Sequence, residues 1–343
     1  MKKMFISLKA VMMVCLIGLL CQSCKKGEIQ PYYKQIVFYA DYLKPATGAI
    51  QFNVDYSTLP KEIQIPANSP VTVTTPTGRV NMTINNVRLK DGLGVYNIVD
   101  PTKDVVVQEL RNGVYEKDVE MFLKIKRTQN LDVVLVLDFS SSLGSNLANV
   151  KNYATTFIDY IQQQNTSAKI GVVIFSNTIV SLTPTPGNFN AAKNFIYNQP
   201  PGGDETKLYE AMDKGISLFQ GSTADGKALV TFTDGKNNST NVYTEPGPIV
   251  AKLNQTYGNP AGLISSYTIG LNDKQGSVDE VALNSLALNG GSSAIAPDVD
   301  QLEKIFKQFS SSVSAVYTMT YDRNNSTVAN VSKLRFVVNT QLQ

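Results

Sequence analysis

Along the chain, apolar and polar positions follow two different periodicities, and the change falls near residue 130. From residue 33 to 127 the apolar runs are short and of β type, at 35–39, 50–54, 71–74, 79–84, 95–98, 105–110 and 120–125. Turn-forming clusters separate them: Lys44-Pro45 through Gly48, Asn68-Ser69-Pro70, Pro76-Thr77-Gly78, Asp91-Gly92 and Asn112-Gly113. Short alternating strands about ten residues apart, with no long amphipathic helix between them, predict an antiparallel β-sandwich domain. Its aromatics, among them Tyr32, Tyr33, Phe38, Tyr39, Tyr42 and Tyr56, suit core and interface packing better than a sugar-stacking face.

Beyond residue 130 strands alternate with helices, which predicts βαβ units and an α/β domain over 130–314. Val133, Val134, Leu135, Val136 and Leu137 are apolar at successive positions, as in a strand covered on both faces. Further strands are expected at 169–176, 228–233, 264–270 and 293–296, with a short antiparallel edge strand at 179–182. Helices are expected at 149–163, 190–198, 206–219, 248–256, 278–288 and 299–309. The first carries Val150, Ala154, Phe157, Ile158 and Ile161 on one face; the last carries Leu302, Ile305, Phe306 and Phe309, with Asp298 as its N-cap. Five parallel strands, an antiparallel edge and helices on both faces make a doubly wound, mostly parallel sheet. The tail returns to alternation at 317–323 and 333–339 around Asn324-Asn325-Ser326, which reads as a β-hairpin over 315–343. A lone hairpin is barely stable in water. It is therefore expected to complete the N-terminal β domain, making the α/β domain an insertion whose junctions, near Arg127 and Ala315, lie side by side.

The first residues have another character. Lys2, Lys3 and Lys9 lead into an uncharged apolar run from Ala10 to Leu20, the form of a secretion signal too short to span a bilayer permanently. The stretch Leu19-Leu20-Cys21-Gln22-Ser23-Cys24 resembles a bacterial lipobox, with Cys24 as lipid acceptor after small Ser23 and Cys21 as the rival acceptor after bulky Leu20. This reading assigns 1–23 to a lipoprotein signal peptide and 24–32 to a polar tether, with an ordinary cleaved signal as the plainer alternative. Acyl chains on Cys24 would anchor the chain to a membrane. Of 31 basic side chains, Lys2, Lys3 and Lys9 precede Cys24, which leaves 28 against 28 acidic ones. A neutral mature chain carries no broad electrostatic footprint for nucleic acid. The three cysteines, Cys15, Cys21 and Cys24, all lie at this end, so no disulfide is expected in the mature protein.

Candidate chemistry sits where the apolar strands stop. The run through Leu137 ends in Asp138, followed by Ser140 and Ser142, so one carboxylate and two hydroxyls occupy the turn at a strand's C-terminal end. Open α/β sheets bind ligands at that edge, and all-oxygen donors suit a hard cation such as magnesium, manganese or calcium. Thr206 precedes a helical pattern, and Asp234 ends a second buried strand. Alone, each has an ordinary explanation: Asp138 or Thr206 as a helix cap, Asp234-Gly235 as a turn. The chain has no histidine, which removes Ser-His-Asp triads, Cys-His dyads and HExxH zinc sites. It also has no phosphate loop and no dinucleotide-binding glycine fingerprint.

The combination of Asp138-x-Ser140-x-Ser142, a distant Thr206 and a distant Asp234 resembles the von Willebrand factor A domain and its metal-ion-dependent adhesion site. The resemblance runs from about residue 130 to 316. It implies that these five residues hold Mg2+, or Mn2+ or Ca2+, some through water, with one position left for an Asp or Glu of a protein partner. That is a mechanism for binding, not turnover, and no enzymatic activity is expected; a hydrolase would have to use Asp204 or Glu205 as its base. In related domains the last helix moves when the metal site rearranges, and here it leads straight into the tail strands. The resemblance and the lipobox together imply an envelope lipoprotein, expected on the outer membrane and at the surface, that binds a protein ligand. The alternative is a docking component of an envelope complex.

Overall fold

The computed structural model describes residues 33–43, 50–65, 71–75, 79–91, 94–98, 101–117, 122–127, 130–239, 242–259, 261–272, 277–324 and 331–342. The expected signal peptide, Cys24 and the tether over 24–32 lie outside the described residues. No helix among the described residues is long and apolar enough to cross a membrane.

From Leu131 to Ala296 the chain builds a six-stranded sheet in the order Ile179–Leu182, Lys169–Phe175, Leu131–Asp138, Gly226–Thr233, Ser265–Leu271, Ser293–Ala296. All neighbouring pairs are parallel except the first, as the alternation predicts. The central strand explains its own composition. Val133, Leu135 and Leu137 point into a core with helices Leu147–Gln164 and Val299–Ser314, whereas Val134 and Val136 point into a second core with helices Leu208–Ser217 and Gly247–Leu253. A strand that feeds two cores cannot alternate. The last helix begins as expected, with Asp298 as its N-cap, whose carboxylate accepts the Gln301 N–H at 2.8 Å. It continues to Ser314 because the serines of its final turns, Ser310, Ser312 and Ser314, are buried with Val313.

The strands before residue 130 and after residue 315 form an antiparallel unit around one shared core. Here the tail departs from the expected hairpin. Strand Val316–Asn324 lies between Arg79–Asp91 and Phe122–Arg127, while Val331–Leu342 pairs with Tyr33–Leu43, Val105–Arg111 and Gly94–Asn97. No register joins the two tail strands among the described residues. The reason is burial. Tyr317, Met319 and Tyr321 on one strand, and Leu334, Phe336 and Val338 on the other, each form an apolar face that a two-stranded ribbon would leave half open. Parting the strands sends both faces into the same core, where Phe336 stacks on Phe38 with ring centres 4.7 Å apart. A buried ion pair, Arg323 to Glu109 at 2.6 Å, ties the two groups of strands together. Of the aromatics noted above, Phe38 is wholly buried and Tyr56 is exposed.

Residues Phe122–Arg127 and Val316–Asn324, which flank the α/β segment, are paired antiparallel with Arg127 opposite Tyr317. The segment therefore leaves and re-enters through adjacent strands. Arg88 crosses to it as well: its buried guanidinium donates to Tyr267 Oη at 2.9 Å, Ser265 Oγ at 2.8 Å and the Ser312 carbonyl at 3.1 Å.

Candidate metal centre

Sheet register brings the two aspartates together. Leu137 pairs with Phe232 across parallel strands, so Asp138 and Thr233 end side by side at the C-terminal edge and Asp234 follows one residue on. Thr233 Oγ1 donates to Asp138 Oδ2 at 2.6 Å, and the Ser140 N–H donates to Asp138 Oδ1 at 2.9 Å. Ser142 Oγ donates to Asp234 Oδ1 at 2.9 Å and lies 2.9 Å from Ser140 Oγ, which is itself 3.5 Å from the same carboxylate oxygen. Four of the five expected residues thus share one hydrogen-bonded cluster. Asp138, Ser140 and Asp234 are buried, while Ser142 is exposed and gives the cluster its face to solvent.

Thr206 arrives by a different route. The loop before helix Leu208–Ser217 is drawn onto the Asp138–Ser142 turn by backbone bonds, Gly202 N–H to the Phe139 carbonyl at 2.7 Å and Ser141 N–H to the Gly203 carbonyl at 3.0 Å. Asn238 then clamps Thr206: its Oδ1 accepts the Thr206 N–H at 2.6 Å, its own N–H donates to the Thr206 carbonyl at 3.2 Å, and its Nδ2 donates to the Asp204 carbonyl at 3.3 Å. Buried Thr206 Oγ1 lies against the Asp234-Gly235 turn, 3.4 Å from where a β-carbon on Gly235 would stand. The helix starts at Leu208, so Thr206 does not cap it. Asp138 caps no helix either, since the next one begins at Leu147, after a 3-10 turn in which Gly144 takes a positive φ of 49°.

Thr233, Asn237 and Asn238 are the residues that sequence reasoning missed. Thr233 reads as an ordinary β-former, and the signal for the other two is the polar run Lys236–Asn238 after a strand buried throughout. Asn237 accepts the Tyr209 N–H at 3.4 Å and donates to the Tyr243 carbonyl at 3.1 Å, holding the Asp234 loop to the helix behind Thr206. Of the two candidate bases, Asp204 is engaged by the Ser141 hydroxyl and Glu205 by Lys207 at 3.3 Å.

The electrostatics are those of two carboxylates held close together in a buried place. Burial raises the Asp138 carboxyl to about 6, and the neighbouring Asp234 adds to the rise, against hydrogen bonds from Thr233 and Ser140 that lower it. The groups acting most strongly on Asp138 include no cation. An oxygen-only set of two carboxylates and three hydroxyls, with the anions buried, fits a hard divalent ion. Among the described residues no cluster of three or more His, Cys, Asp or Glu competes for that role.

The sequence model of the von Willebrand factor type A domain matches residues 132–331, more than half of the chain. The chain belongs to that family. No curated protein sequence matches it. Solved structures similar to it include proximal thread matrix protein 1 from the mussel byssus with a zinc-occupied MIDAS motif, at 16% identity and a TM-score of 0.45, covering 60% of this chain and 50% of that one. The pilus adhesin SpaC from Lactobacillus rhamnosus GG is 11% identical with a TM-score of 0.43, covering 80% and 51%. The vWF domain of the type V pili tip protein Mfa5 from Porphyromonas gingivalis is 16% identical with a TM-score of 0.41, covering 54% and 95%. The chain spans about half the length of the mussel protein and of SpaC. Within the von Willebrand factor type A family assignment, the match begins at the central strand and takes in every residue of the oxygen cluster.

Proposed function

We propose that this chain binds a protein ligand through a divalent cation, Mg2+ or else Mn2+ or Ca2+, held by Asp138, Ser140, Ser142, Thr206 and Asp234. The observation that carries the reading is the convergence of buried Asp138 and Asp234 on the Ser140 and Ser142 hydroxyls at one sheet edge. A cation there would supply an electrophilic centre that accepts an Asp or Glu carboxylate of the partner, because three of the five donors are neutral. The chain's own residues do the rest. Thr233 and the Ser140 N–H orient the Asp138 carboxylate, Asn238 sets Thr206, and exposed Ser142 marks the side from which a ligand approaches.

Binding rather than catalysis is the better reading of the site. The chain has no histidine, and Asp204 and Glu205 are each already engaged. The N-terminal residues support lipidation at Cys24 and a place in the bacterial envelope; an outer-membrane, outward-facing position belongs to the adhesion reading itself. We further read the antiparallel unit as a β-sandwich into which the α/β domain is inserted; the adjacent strands Phe122–Arg127 and Val316–Asn324 support that organisation. The test is Mn2+ titration of the full chain by calorimetry. Asp138→Ala should lose Mn2+ binding and metal-dependent capture of protein ligands while its circular-dichroism spectrum is unchanged; undiminished Mn2+ affinity defeats the assignment. Capture from envelope extracts alone, with none from host or matrix extracts, would point to docking within an envelope complex instead of adhesion.

A further inference from the structure

Two buried cations meet where the antiparallel unit touches the α/β domain, at the N-terminal edge of the parallel sheet and so at the opposite edge from the metal centre. Arg88 and Lys90 stand two residues apart on strand Arg79–Asp91 and are 3% and 2% exposed. We propose that this junction binds a chloride-sized anion between the Lys90 ammonium and the Arg88 Nε–H, a site separate from the cation cluster and independent of it.

Charge selects the occupant. A buried charge is stable only when it is paired, and neither side chain has a carboxylate partner among the described residues. Their partners are neutral. Arg88 spends Nη1 and Nη2 on Tyr267, Ser265 and the Ser312 carbonyl, as described above. Lys90 donates to Ser292 Oγ at 3.2 Å, with its ammonium 5.2 Å from the centre of the Tyr267 ring. The two cations also act on each other, Arg88 disfavouring the Lys90 charge. A negative ion between them turns that repulsion into two attractions.

The donors for it are in place. Arg88 Nε is buried and has no acceptor among the described residues. Ser292 Oγ takes one donor of the Lys90 ammonium and leaves the others. Gly290 borders the same guanidinium: a β-carbon there would come within 3.3 Å of Nε and 3.1 Å of Cδ, so glycine leaves Nε uncovered. Gln64 adds a third group. Its buried Oε1 lies 3.6 Å from that β-carbon position and accepts from no donor; turned over, the amide presents its NH₂ there instead. Size follows from burial. With both cations almost wholly enclosed, a ligand trailing a substituent to solvent has no way in, which leaves a monatomic anion.

The probe is bromide, which takes the place of chloride and scatters anomalously. Crystals of the full chain are soaked in sodium bromide at about pH 6, below the value of about 7 to which burial and Arg88 bring Lys90, so that the ammonium keeps its proton even without a ligand. They should show a buried anomalous peak in contact with Lys90 Nζ and Arg88 Nε. Solution supplies a second reading. Urea unfolding of wild type and Lys90→Met, in sodium bromide and in sodium gluconate at equal ionic strength, separates binding from the general action of salt that both proteins share. Relative to the variant, the wild-type unfolding constant should fall by about tenfold once bromide reaches about ten times its Kd. Bromide found only on the surface, or no peak at all, overturns the proposal, and the wild-type map decides this even if the variant does not fold. A junction peak with the same bromide response in both proteins marks an adventitious ion only, and overturns it too.

Discussion

Replacing Asp138 by Asn should make the metal-free protein more stable, although it removes a residue of the proposed site. The folded chain holds this carboxyl at about 6 against an ordinary 3.8, with burial as the main cause and Asp234 contributing. A difference of about two pKa units corresponds to roughly 3 kcal/mol. The sign follows from proton counts. Below pH 4 the carboxyl is protonated whether the chain is folded or not, and it favours neither state. Between 4 and 6 the folded chain keeps the proton that the unfolded chain has lost, so stability falls as pH rises; above 6 the full penalty applies. The amide substitution removes the charge and can keep both contacts. Its oxygen accepts the Ser140 N–H, and its new NH₂ donates to Thr233 Oγ1, whose own proton can turn to the Gly235 carbonyl 3.1 Å away. Urea unfolding in EDTA should therefore show Asp138→Asn equal to wild type near pH 4 and about 2–3 kcal/mol more stable above pH 6. Added Mg2+ or Mn2+ should reverse the order, stabilising wild type by about 2.7 kcal/mol at a hundred times Kd and the variant hardly at all. A variant less stable than wild type in EDTA at neutral pH, or a difference that ignores pH, would show the reasoning about the buried charge to be wrong.

Two other outcomes follow from the packing. Gly202→Ala should destabilise by at least 2 kcal/mol on an order-of-magnitude scale, because the added methyl would stand 2.0 Å from Ser176 Oγ and 2.4 Å from its Cβ; Ser176→Gly in the same chain should restore much of the melting temperature, and no restoration would point to another cause. Burial and nearby Arg88 lower the Lys90 ammonium from 10.5 to about 7, with Ser292 Oγ at 3.2 Å and the Tyr267 ring at 5.2 Å as its neighbours. The unfolded chain then binds the extra proton between pH 7 and 10, so stability should rise across that window by at most about 1.4 kcal/mol per pH unit, and Lys90→Met should flatten the rise; an identical alkaline profile in the variant would contradict it.

How much of this was legible in the residues depends on whether the cause is local. The run Val133–Leu137 announces a strand between two helical layers because successive apolar residues are needed only where two cores meet. Asp138, Ser140 and Ser142 follow from where that run stops. Thr206 is otherwise: its helix begins two residues later, and its place is set by Asn238 and by backbone bonds from Gly202 and Ser141, partners that no local pattern encodes. Only the family resemblance reached it. Thr233 was hidden because a β-branched residue at a strand end needs no other explanation. The tail strands show the same limit from another side. Alternation at 317–323 and 333–339 reveals strands with one apolar face each, but it does not say which strand lies next to which, and the core shared by Phe38 and Phe336 decides against the hairpin.

The central claim is that five side chains distant in sequence hold one divalent ion. It is tested most directly by diffraction from crystals of the full chain soaked in Mn2+, using the metal's anomalous signal. The account predicts a single strong peak among the side-chain oxygens of Ser140, Ser142, Thr206 and Asp234, close to Asp138 and absent after EDTA. A map without that peak, or with manganese bound only elsewhere on the chain, would contradict it.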